Sequence, residues 1–302
     1  MHPQETLEAS YDQKGTCRMI IEPMNPVHLV TITLIPLLLY VGLFYWLRNY
    51  DDEKKRRILL YICYFNNVLY IVYKIVQFYL PSYDFDIWLN LPLHFCNINL
   101  ILLPLALLLR NKYLLAYQFY FGVSLSLLAL LAVDEAFRGQ PILEFTALVY
   151  FYYHSFLMIA PILLVKFKFF TPSFKAVWQP TLILIGLTLM AHIVNMVFRN
   201  TGLASEANYF FTYGLHGDPL TDMYWRLIPY EFFFLLPSLL SFAPFIILTT
   251  LPFWLRERKE RRREELRLLT QEHVGANETL DIPYKNGDGW TAHVMEKYDV
   301  LS

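Results

Sequence analysis

Cys96 and His154 carry the chemistry of a thiol nucleophile and its base, and both fall in apolar surroundings. Cys96 stands in the run Leu91-Pro92-Leu93-His94-Phe95-Cys96-Asn97-Ile98-Asn99. Pro92 lacks a donor N–H and suits the first turn of a helix. A helix restarting there holds Cys96 near a positive helix end, which stabilises a thiolate. His154 follows 58 residues later, about eleven residues inside an apolar stretch of its own that enters from the same side. The two therefore lie at similar depth and can meet across a bundle. A thiolate beside an imidazole is an arrangement for nucleophilic catalysis.

Other polar side chains punctuate the same apolar stretches, where each costs free energy unless it faces protein or water. They are Asn66, Asn67, Lys74 and Gln77, then His94, Asn97 and Asn99, then His192 and Asn195, and finally Glu231. Asn66, Asn67 and Asn195 read equally well as hydrogen-bond glue between helices. Lys74 is either functional or reaches to the interface. On a continuous helix His94 and Cys96 stand about 200° apart, so Cys96 shares a face with Asn99 and His94 with Asn97. That separation argues against a His94/Cys96 metal pair, and neither a metal nor a cofactor is expected. Cys63 reads as packing, and Cys17 has no assignment. Three cysteines are an odd number, which speaks against a disulfide scaffold.

The elements that must position these groups follow from composition. Of 302 residues 56% are hydrophobic and only 17% charged, and the charges crowd between apolar stretches of about the length that spans a hydrocarbon core. The stretches run 27–47, 58–80, 87–109, 113–133, 143–165, 177–198 and 228–255, which predicts an all-α bundle of seven transmembrane helices. Residues 1–26 precede it with no cleavable signal pattern, and residues 256–302 form a basic, partly helical and then flexible tail. Alternate connections hold 17 Lys and Arg against five in the others, so the positive-inside rule places the N-terminus outside and the C-terminus in the cytosol. The partner is a bilayer, of the plasma membrane or the endoplasmic reticulum. The flank Trp254–Gln271 anchors that topology and is a candidate for anionic lipid. A net charge of −1 gives no reason to expect nucleic acid. The sequon Asn277-Glu278-Thr279 falls on the cytosolic side.

The run LPLHFCNINLILL, the segment YFYYHSFLMIAP that carries His154, and the pair Asn208-Tyr209 resemble, in order and spacing, the YwaF-like family that includes transmembrane protein 164. The resemblance extends over residues 27–255. It implies a seven-helix fold and, for the eukaryotic branch, a cysteine-dependent acyltransferase acting on lysophospholipids, with Cys96 and His154 at its Cys and His positions. That branch places a His directly after its Cys, where this chain has Asn97. On this reading His154 is general base to Cys96, a thioester forms, and a lysophospholipid hydroxyl or water resolves it. Asn99 is the candidate oxyanion donor. His94, Asn97, His192 and Asn195 support the site, and Lys74, Asn208, Tyr209 and Glu231 are substrate-contacting or structural.

Two other classes stay open. A binding or transport protein would use Lys74, His154, His192 and Glu231 as a polar path, although such sites are expected near the midplane. A G-protein-coupled receptor shares the topology, but Arg110-Asn111-Lys112 stands where an Asp-Arg-Tyr triplet belongs.

Overall fold

A computed structural model of the protein describes residues 19–79, 87–132, 139–214, 219–275, 282–286 and 289–293. Cys17, the connection Pro81–Asp86, Arg138 and the sequon lie outside the described residues.

Asn25 starts the first helix: its side chain accepts from the N–H of His28, and Pro26 takes the first helical position. This is α1 (Pro26–Leu47). Asp51 caps α2 (Asp52–Phe78) by accepting from the Lys54 N–H. The third apolar stretch is not one helix. After the four-residue α3 (Ile87–Asn90) the chain turns, His94 is extended at φ −66° and ψ 149°, and α4 (Phe95–Leu109) begins. Its 15 residues reach about 22 Å, short of a hydrocarbon core of about 30 Å. Asn111 caps α5 (Lys112–Tyr117), which passes through a π-helical turn, Gln118–Gly122, into α6 (Val123–Leu131). Then come α7 (Phe145–Lys166), α8 (Trp178–Thr201) and the short amphipathic α9 (Pro219–Leu227).

The seventh stretch also departs from expectation. Residues 233–242 form tight 3₁₀ turns and regular helix starts only with α10 (Ala243–Gly275). Pro229, Pro237 and Pro244 explain the delay, since each removes a helical donor and clashes with the preceding turn. Among the described residues six helical segments are long and apolar enough to cross a membrane, with α4 as a shorter apolar helix. The chain is a multi-pass integral membrane protein.

Within residues 1–250, α7 is the central post: α1, α2 and α6 pack along it, and α2 also packs on α4. Asn67 ties α2 to α4 by donating to the Leu100 carbonyl at 2.9 Å, so it does act as interhelical glue. Asn66 bonds within its own helix, to the Ile62 carbonyl. A second cluster gathers Tyr117, Tyr120 and Phe121 around the π turn with Leu184 of α8. Residues 251–302 form a separate unit holding the rest of α10, with the Glu257–Arg261 ion pair, and a short hairpin of β1 (Ile282–Asn286) and β2 (Gly289–His293). The expectation of a flexible tail made no provision for that hairpin.

Candidate active site

Because the third stretch breaks at His94, Cys96 is the second residue of α4. The helix restarts at Phe95 rather than at Pro92, which lies in the turn before it, and Cys96 therefore sits in the first turn, where the leading N–H groups carry the positive end of a helix. The break also moves His94. It precedes the helix, so the 200° separation from Cys96 and the shared face with Asn97 do not apply. Its ring meets Tyr209 edge-on at 5.1 Å. Asn97 is buried in the first turn, its N–H bonded to the His94 carbonyl. No three His, Cys, Asp or Glu side chains are grouped as a metal site requires among the described residues.

Cys96 is half-buried and packs on the core around α7. Its thiol lies within electrostatic reach of the Tyr117 and Tyr153 hydroxyls, on α5 and α7. Tyr153 packs edge-on against Tyr70 and Tyr150, and Tyr70 lies against Tyr73, so four tyrosines from α2 and α7 form one cluster. Lys74 lies over Tyr70 and Tyr73 at 5.9 and 5.5 Å, and Gln77 donates to the Tyr73 hydroxyl at 2.7 Å. Lys74 thus belongs to the α2 side of this tyrosine cluster.

His154 is buried between Tyr150 and Tyr153, ring centroids 4.3 and 4.2 Å away. Its Nδ1 sits 2.9 Å from the Tyr150 carbonyl. A carbonyl only accepts, so Nδ1 carries the proton of the neutral ring and Nε2 is left with the lone pair a base requires. Among the described residues no hydrogen bond joins His154 to Cys96. On α7 the electrostatic neighbour of the thiol is Tyr153, the residue before His154.

One turn beyond Cys96, Asn99 is fully buried and its carboxamide meets that of Gln118 in the π turn, Nε2 to Oδ1 at 3.1 Å. This single bond leaves Asn99 Nδ2 and Gln118 Oε1 without partners, as are the buried hydroxyls of Tyr117 and Ser155. Exchanging O and N in both amides leaves the same outcome: one NH₂ and one carbonyl unmatched in the interior. Such groups are costly to bury and call for a polar occupant. π turns recur at functional sites.

A model of the TMEM164 family matches residues 23–255. The chain belongs to that family. No curated protein and no solved structure matches it. The matched residues include Cys96, His154 and the tyrosine cluster and also the second polar centre, on the loop after α8.

There Asn195 grips the backbone of Tyr209 from both sides, donating to its carbonyl at 2.9 Å and accepting from its N–H at 2.8 Å. It also donates to the Thr212 hydroxyl, which lies 3.1 Å from His192 Nδ1. Asn208 holds the N–H and carbonyl of Tyr213 in the same bidentate way. His192 stacks on Tyr213 and is electrostatically coupled to Glu231, which the late start of α10 places on an exposed turn rather than inside a helix. The loop between these clamps carries Phe210 and Phe211 at φ 59° and 54°, and Phe232 stands at 64° across from it. Bulky residues are strained in that region and persist only where neighbours over-determine them. Through the His94–Tyr209 and Phe95–Phe210 contacts this clamped loop buttresses the start of α4.

Reading the sequence missed Tyr70, Tyr73, Tyr117, Gln118, Thr212 and His28. The two tyrosine pairs carry a signal, because 70/73 and 150/153 recur at helical i,i+3 spacing on otherwise apolar helices. His28 is a structural latch: its Nδ1 accepts from the Met24 N–H, so its Nε2 is protonated and donates to the Leu130 carbonyl at 2.8 Å.

Proposed function

We propose that the protein is an intramembrane cysteine acyltransferase that moves a phospholipid acyl chain through a Cys96 thioester. The observation that carries this reading is the restart of helix at Phe95, which sets Cys96 at a positive helix end beside an unmatched buried carboxamide. In this mechanism His154 takes the Cys96 proton on Nε2, the nitrogen that the Tyr150 carbonyl leaves free. The thiolate attacks the ester carbonyl, and the carboxamide NH₂ of the Asn99–Gln118 pair donates to the oxyanion. Collapse breaks the ester bond, and His154 returns its proton to the departing lysophospholipid alkoxide. An acceptor lysophospholipid then loses its hydroxyl proton to His154 and attacks the thioester, and the thiolate leaves. With water as acceptor the product is a fatty acid. The bundle is proposed to have seven membrane segments, the third completed by α3 and α4 together, with the N-terminus outside.

The test is covalent. Protein purified in detergent is incubated with an alkyne-tagged phospholipid acyl donor, beside Cys96→Ala and His154→Ala. Wild type is expected to form a hydroxylamine-sensitive adduct that chases onto lysophospholipid, and Cys96→Ala none. Equal behaviour of all three folded proteins overturns the reading and favours a binding or transport role for the Lys74–tyrosine wall.

A further inference from the structure

The Asn99–Gln118 pair has two unmatched groups, and the mechanism above uses one. Asn99 Nδ2 serves the oxyanion, which leaves Gln118 Oε1 an acceptor without a donor among the described residues. Gln118 is fully buried, so bulk solvent does not supply one. Gly122, one turn on, keeps a side chain off this oxygen, since a Cβ there would stand 2.9 Å from it. Two buried hydroxyls are unmatched as well, those of Tyr117 and Ser155. Tyr117 precedes Gln118 and lies within electrostatic reach of the Cys96 thiol. Ser155 stands one turn before Met158, which packs on the cluster that Tyr117 shares with the π turn. Unmatched polar groups thus gather where α4, the segment from α5 into the π turn, and α7 pack on one another. A buried water needs several such partners.

The reaction limits what can donate to Gln118 Oε1. The ester and phosphate oxygens of a phospholipid only accept. The reacting hydroxyl of a lysophospholipid carries one hydrogen, and His154 requires it. A water carries two, so that with one directed to His154 Nε2 the other is left for a carbonyl.

We propose that Gln118 Oε1 holds the water that hydrolyses the Cys96 thioester, so that the protein releases fatty acid whenever no lysophospholipid resolves the acyl-enzyme. This rests on the thioester reading above. One proton of the water passes to His154 Nε2 while the other stays on the Gln118 carbonyl. The water oxygen bonds to the acyl carbon, the carbon–sulfur bond breaks with its electron pair on Cys96, and His154 returns the proton to that sulfur. Fatty acid and free thiol result.

The full chain in detergent is acylated with an alkyne-tagged phospholipid, freed of donor, and chased in oxygen-18 water with a fixed amount of lysophospholipid. The readout is the ratio of released fatty acid to acylated lysophospholipid. Wild type is expected to release acid that carries oxygen-18. Gln118→Met should lower the ratio about tenfold, the worth of one hydrogen bond in the transition state. Gln118→Glu should restore it, because a buried carboxyl stays neutral, donates to Asn99 and keeps a carbonyl. Should Gln118→Met fail to fold, Gly122→Ala, whose methyl crowds Oε1, is expected to lower the ratio likewise. An unchanged ratio in the folded variant, both routes slowing together, overturns the proposal and leaves the thioester reading standing. Wild type that forms no thioester overturns both.

Discussion

Asn99 shows how a side chain can be read correctly in kind and incompletely in role. Its i,i+3 relation to Cys96 is in the sequence, and the helix honours it because both residues follow the break. Its partner was not legible, since Gln118 is 19 residues away, on the next helix where α5 passes into the π turn. If the unmatched NH₂ donates to an oxyanion, Asn99→Leu should slow acyl transfer about a hundredfold, as loss of one such donor does, while leaving lipid binding intact. Single-turnover rates against donor affinity separate the two; a loss confined to affinity would make Asn99 a substrate contact. Asn195 serves structure by comparison. Asn195→Ala removes the partners of the Tyr209 N–H and carbonyl and leaves the Thr212 hydroxyl only His192, at about 1–3 kcal/mol for each buried group left unmatched. A clearly lowered Tm in detergent is expected, and an unchanged one would mean water replaces the clamp. Asp51 responds to pH. Its bond from the Lys54 N–H holds its carboxyl below the usual aspartate value, so its capping of α2 is present above that value and lost as pH falls through the lower, folded one. Asp51→Ser should remove this acid sensitivity yet keep the cap, as Tm measured against pH would show.

At the scale of elements, hydropathy located α1, α7 and α8 to within three residues and α2 except for its charged first turns, because a lipid-facing helix needs little beyond length and apolarity. It failed where backbone decided the outcome. The third stretch is apolar throughout but breaks at His94, and the seventh is apolar from Ile228 yet turns through residues 233–242 before α10. Proline marks both places, and its meaning there is conformational rather than hydropathic. The π turn left no trace in composition. Its one visible requirement is Gly122, where a Cβ would lie 2.9 Å from Gln118 Oε1. Gly122→Ala should cost about 1–3 kcal/mol by overpacking, and part of that should return in Gly122→Ala/Gln118→Ala, where the opposing atom is gone. A thermal-melt cycle reads the coupling, and strict additivity would show that the turn simply widens.

Across the whole molecule the candidate site divides in two. Cys96 has Asn99 one turn further along its helix and Tyr117 and Tyr153 as electrostatic neighbours, with Lys74 against the tyrosines of α2, whereas His192, Asn195, Asn208, Tyr209 and Glu231 belong to a clamped loop that supports the start of α4. No spacing rule could sort these groups, because what separates them is which helices are neighbours. That neighbourhood also bears on how the protein is made. The helix at residues 26–47 leaves the ribosome well before the one at residues 145–166 that mainly holds it, and its latch is a bond from His28 to Leu130, 102 positions later. α1 must therefore wait, in lipid or beside the insertion machinery, until more than half of the chain has been synthesised. Nascent chains stalled before α7 should leave α1 open to crosslinking by that machinery, and chains stalled after it should not.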